Sequence, residues 1–128
     1  MASCKFFIIF VFIKMFLEKK EKWRMKRNEI VDKIRNILRK VAPNAQVILY
    51  GSEARGDTRP DSDIDLLILV DEPQLSPERE QEIIRPLYEL EVKSGVIISP
   101  MIMLRKLWEN RPFQTPFSLN VMNEGIVL

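Results

Sequence analysis

From Asn28 the apolar positions Ile30, Ile34, Ile37, Leu38 and Val41 recur at steps of three and four, the spacing of a helix that buries one face. Asn28 stands where a cap would, and Pro43 follows the end. The period then changes. Ala45 to Tyr50 is β-branched and aromatic at its centre and halts at Gly51, which predicts a strand ending in a turn. A second apolar run, Ile64 to Val70, predicts a central strand closed by Asp71-Glu72-Pro73-Gln74. Ser76-Pro77-Glu78 opens a helix with serine at the cap and proline in the first turn. Its apolar face is Ile83, Ile84, Leu87, Leu90 and Val92, with Pro86 as a kink and Gly95 as the stop. Val96 to Met103 follows as a strand in which Pro100 marks an edge or a bulge. A short helix over Arg105 to Glu109, a loop over Pro112 to Phe117, a last helix over Ser118 to Glu124 and an apolar tail released by Gly125 complete the pattern. Helices alternating with strands define a small α/β domain.

The first residues do not fit that scheme. Phe6 to Leu17 is apolar except for Lys14, but a membrane span needs about 20 such residues. No small-residue cleavage site follows, since the run passes into Glu18-Lys19-Lys20-Glu21-Lys22. Residues 1–24 are therefore expected to be a leader outside the domain, either translated from upstream of a start at Met25 or serving as a short membrane-surface anchor. Residues 25–128 are expected to form the domain. Without a span or a cleavable leader, the protein is expected to be cytoplasmic.

Composition narrows the chemistry. Lys and Arg outnumber Asp and Glu by only 20 to 18, and much of the basic excess lies in Lys19, Lys20, Lys22, Arg24, Lys26 and Arg27. A nucleic-acid-binding face on the domain is therefore not expected. There is no histidine, which excludes His-dependent zinc sites and Ser-His or Cys-His catalysis within the chain. Cys4 is the single cysteine, so no internal disulfide forms.

The chemistry concentrates at two places. Gly51 lets a ligand approach the main chain, and the Ser52 hydroxyl adds a donor, as a phosphate-binding turn requires. Asp63 and Asp65 flank Ile64 where the second strand begins. Residues two apart on a strand share a face, with Cα atoms roughly 7 Å apart. Two carboxylates so placed repel each other when alone and favour a divalent cation between them. Hard oxygen ligands suit Mg²⁺ or Mn²⁺, and Mg²⁺ completes its octahedron with water and substrate phosphate. A polar turn with a cap accounts for Asp61 and Asp63, but not for Asp65, which precedes five apolar residues.

Gly51, Ser52, Ala54, Arg55, Gly56, Ser62, Asp63, Asp65 and the apolar triplet after them resemble the nucleotidyltransferase domain of the DNA polymerase β-like superfamily, in the spacing of its minimal stand-alone members. The resemblance implies a small mixed β-sheet covered by helices. It implies transfer of a nucleoside monophosphate from ATP or another NTP to an acceptor hydroxyl. Asp63 and Asp65 would be the catalytic, metal-holding pair, with Gly51, Ser52, Arg55 and Arg59 on the phosphates. For either arginine, a solvated charge or a salt bridge to Asp57 or Asp61 is the competing reading. Many such proteins stand beside a HEPN-domain ribonuclease toxin and serve as its antitoxin, so a HEPN-domain partner is implied as well. Some relatives modify a tyrosine of that partner.

One feature departs from the resemblance. Active members of the superfamily generally supply a third acidic residue from a neighbouring strand, often as the base. Here the positions expected to carry it are Ile97 and Ser99, and no Asp or Glu occurs between Glu91 and Glu109. Glu89 or Glu91 could reach in from the preceding helix. Three readings are compatible with these residues: an active transferase with a replacement base, a slow enzyme that still binds nucleotide and metal, or a binding module that neutralises a toxin without transfer. Leu104, Leu107 and Trp108 are expected in the core or against a partner. The tail Ile126-Val127-Leu128, near Phe113 and Phe117, is expected either to promote partner binding or self-association, or to dock on the protein's own core.

Overall fold

The computed structural model describes residues 2–128, and their side chains over 8–15 and 26–128. The chain divides into two compact units, 1–32 and 33–128. Helix α1 runs from Ala2 to Val41. Asn28 is therefore inside a helix and caps nothing, because no glycine or proline precedes Pro43 to end the turn pattern upstream. In the first unit Ile8 to Ile13 and Met15 are exposed, whereas Arg27 and Ile30 are buried. No helix among the described residues is long and apolar enough to cross a membrane.

In the second unit four strands, β1 (Gln46–Tyr50), β2 (Ile64–Val70), β3 (Ile98–Leu104) and β4 (Ile126–Val127), form one sheet in the order β3-β2-β1-β4. β1 pairs antiparallel with β2 and β4, and β3 pairs parallel with β2, so the sheet is mixed. Leu66 to Val70 are at most 2% exposed, which is why this strand reads as an unbroken apolar run rather than an alternation. Pro100 lies on β3, an edge strand, as its missing donor requires. β3 begins two residues later than the sequence suggests and extends to Leu104.

Alternation along the strands sorts the sheet into two faces. On one, Ile48, Leu67 and Leu69 form a cluster with Val121, and Tyr50, Met103, Trp108 and Phe117 pack against it. The opposite face carries Val47, Leu49, Leu66, Ile68 and Val70, while α1 buries Ile34 and Leu38 and α3 (Pro77–Ser94) buries Ile83, Leu87 and Leu90. The Ser76 hydroxyl accepts from the Arg79 amide at 3.1 Å, and Gly95 caps the other end at φ 72°. Val92 is exposed rather than part of the apolar face.

α2 (Ser52–Arg55) and α4 (Arg105–Glu109) are single turns. α5 spans Pro116–Glu124, so it begins inside the segment expected to be a loop. Thr115 caps it, accepting from the Ser118 amide at 3.1 Å while the Ser118 hydroxyl accepts from the Thr115 amide at 2.8 Å. Phe117 is not exposed: its ring meets Tyr50 edge-on at 5.4 Å and Trp108 at 6.2 Å. Phe113 and Leu107 do face solvent. The tail docks on the protein's own sheet through its backbone, as β4, with the Leu128 amide donating to the Val47 carbonyl at 2.9 Å. Ile126 and Val127 nevertheless leave their side chains exposed.

Candidate nucleotide and metal site

Tyr50, Asp65 and Ser99 form one row across β1, β2 and β3, since Tyr50 pairs with Asp65 and Asp65 with Ser99. Asp63, two residues before Asp65, joins the same face. The Ser99 hydroxyl donates to Asp63 Oδ2 at 3.2 Å. The row lies at the end of the sheet face occupied by the Tyr50, Trp108 and Phe117 rings.

Gly51 closes the site from the β1 side. Its φ of 72° and ψ of −152° belong to a region essentially restricted to glycine. A Cβ there would sit 2.5 Å from Asp65 Oδ2, so the turn and the carboxylate occupy one small volume and only glycine permits it. Ser52 then begins α2, and the first amides of a helix have no carbonyl of their own turn to bond. Gly51, Ser52, Asp63 and Asp65 are thus brought together.

The electrostatics suit a cation. Burial and, next, the Asp63 charge raise the Asp65 pKa above its ordinary value, and Arg55 opposes them. Tyr50 is likewise raised, by burial and then by the Asp65 charge. Two half-buried carboxylates make a hard-oxygen pair that Mg²⁺ or Mn²⁺ would fit, with water or phosphate at the remaining positions. Among the described residues no group of three or more His, Cys, Asp or Glu could hold a metal ion.

The arginines divide. Arg55 donates to Asp57 at 3.2 Å and to Glu124 at 3.0 Å, tying α2 to the end of α5. It pairs with Asp57, yet its field still reaches Asp65. Arg59 is exposed, and its main chain locks the loop before β2: its amide donates to Ser62 Oγ at 2.8 Å and its carbonyl accepts from the Ser62 amide at 3.0 Å. Glu91 does not replace the third acid, because its Oε1 accepts from the Ile98 amide at 2.9 Å and so anchors the start of β3. Glu89 lines a cleft of about 370 Å³ between α1 and α3, with Lys33, Lys40 and Lys93. Sequence reading missed Glu124, whose pairing with Arg55 spans 69 positions, and the aromatic group beside Asp65. Only the adjacency of Tyr50 to Gly51 hinted at the latter.

A mixed sheet with a glycine turn set against paired carboxylates at the start of a central strand is the frame of the nucleotidyltransferase fold. The family model for the nucleotidyltransferase domain matches residues 31–125, and the chain belongs to that family. Two proteins of Methanocaldococcus jannaschii, each named putative protein adenylyltransferase, are similar to it. One is 38% identical over 81 residues, covering 63% of this chain and 75% of the relative. The other is 36% identical over 83 residues, covering 65% and 76%. Among solved structures, a toxin–antitoxin chain determined with AMP-PNP shares the fold with a TM-score of 0.54 at 22% identity, over 75% of this chain and 69% of that one. A mutant of the MntA–HpeT toxin–antitoxin is similar at a TM-score of 0.52 and 22% identity, over 76% and 69%.

Proposed function

We propose that the domain binds ATP or another NTP together with Mg²⁺ or Mn²⁺ and transfers the nucleoside monophosphate to a hydroxyl of a partner protein. The observation that carries this reading is the Asp65 carboxylate lying against Gly51, with Asp63 on the same face. Gly51 and Ser52 would receive the β and γ phosphates, while Asp63 and Asp65 would hold the cation. When bound, the cation neutralises the triphosphate and polarises its oxygens. The acceptor oxygen forms a bond to the α phosphorus, the bond to the bridging oxygen of the β phosphate breaks, and pyrophosphate leaves. The acceptor proton passes to an Asp63 or Asp65 oxygen or to water. The names of the relatives support a protein acceptor, and those of the structural neighbours support an antitoxin role. A HEPN-domain toxin is the partner proposed.

A second reading has its own observation. Ser99 stands where a third carboxylate would serve as base, and general base catalysis is typically worth 10² to 10⁴ in rate. A module that binds nucleotide and blocks its partner without transfer fits that substitution. Incubation with labelled ATP, Mg²⁺ and the product of the adjacent gene separates the two. Label on the partner, lost in the Asp63→Asn/Asp65→Asn double variant, supports transfer. A stable complex without label supports the binding module.

A further inference from the structure

We infer that Ser99 makes this a one-cation site: it holds Asp63 in position and denies a second divalent ion the ligand that β3 would otherwise supply. The inference rests on the functional reading above and concerns how many cations that site takes.

Pairs of ions in phosphoryl-transfer sites lie about 3.5 to 4 Å apart. Their mutual repulsion has to be offset by shared anionic ligands. β3 is the strand that could provide one, because it runs parallel to β2 and in register with it, Asp65 opposite Ser99. At that position stands a neutral hydroxyl. It does not point away from the pair but donates to Asp63 Oδ2 at 3.2 Å, which leaves the other Asp63 oxygen to a metal. Three nearby acids are committed elsewhere: Asp57 and Glu124 to Arg55, and Glu91 to the Ile98 amide. No third ligand joins the pair among the described residues. Without nucleotide, two carboxylates, one of them already bonded to a neutral donor, match the charge of one divalent ion and not of two. Ser99 is accordingly a positioning residue, acting on the cation through Asp63.

Equilibrium dialysis of the full chain against Mn²⁺, with and without AMP-PNP, tests this by counting bound manganese. Without nucleotide, one ion per chain is expected in the native protein and two in Ser99→Asp. Ser99→Ala should keep the count at one while weakening affinity roughly ten- to a hundredfold, the usual cost of losing a partner that orients a metal ligand. Two ions in the native protein without nucleotide overturn the inference whatever the variants do. So does a folded Ser99→Asp protein that still takes one. If Ser99→Asp fails to fold, Ser99→Ala decides: unchanged Mn²⁺ affinity overturns the positioning role, and a tenfold loss sustains it. Failure of AMP-PNP to bind sinks the functional reading instead, and the manganese count without nucleotide still decides this one.

Discussion

Strand β2 contains two unlike regions. From Leu66 to Val70 its side chains are at most 2% exposed and wholly apolar, whereas Asp65 near its start and Asp63 just ahead of it are half-buried carboxylates whose charges oppose each other. One part gains stability from burial, roughly 1.5 to 3 kcal/mol for each large side chain. The other costs some of it, by keeping like charges close in the absence of a cation. The contrast shows how the fold fixes the site: five buried residues and two paired neighbours hold the strand rigid, so that Asp63 and Asp65 stay together although they repel.

The contrast can be broken at either end. Changing Asp63 and Asp65 together to Asn should lower nucleotidyl transfer by at least about 10²-fold, the scale of losing a main electrostatic contact to the transition state, while the fold remains intact by circular dichroism. Leu67→Ala should do the reverse. Removal of a buried leucine typically costs about 2 to 5 kcal/mol, readable in urea unfolding, while the folded fraction still responds to Mg²⁺ and AMP-PNP. Gly51→Ala falls between the two. Its backbone conformation alone costs about 1 to 3 kcal/mol for a non-glycine residue, and the added Cβ displaces the Asp65 carboxylate, so both stability and nucleotide binding should drop.

The smallest effect is a gain. Because the folded protein holds the Asp65 proton more tightly than the unfolded chain, it binds more protons between the ordinary carboxylate pKa and the raised one. Stability therefore falls as pH rises through that window, and the deficit persists at neutral pH. Asp65→Asn removes the deficit. Urea midpoints of native and variant protein, compared from acid to neutral pH without metal, should diverge in favour of the variant as pH rises. A variant that loses function and gains stability is the signature expected of a charge kept for a ligand.

Local signals were legible in the sequence. The Ile64–Val70 run gave β2 its bounds, and Ser76-Pro77 and Gly95 marked α3, because each depends on residues adjacent in the chain. What escaped was non-local or unmarked. β4 exists only because β1 offers an edge to Ile126–Val127. The Ser99 bond to Asp63 spans 36 positions, and the Arg55 bond to Glu124 spans 69. Thr115 and Ser118 form a capping box in which serine replaces the usual acid, so the start of α5 was hidden in an apparent loop. α1 runs past Asn28 for the opposite reason: a cap residue is present, but nothing upstream ends the helix.

The most direct test is thermal unfolding of the full chain with Mg²⁺ and AMP-PNP, native against the Asp63→Asn/Asp65→Asn double variant. Ligand at a hundred times its Kd adds about 2.7 kcal/mol to the folded state, so the native protein should melt several degrees higher with ligand than without. The double variant should show no such rise. An unmoved native melt, or an equal rise in both proteins, contradicts a cation and nucleotide site at Asp63, Asp65 and Gly51.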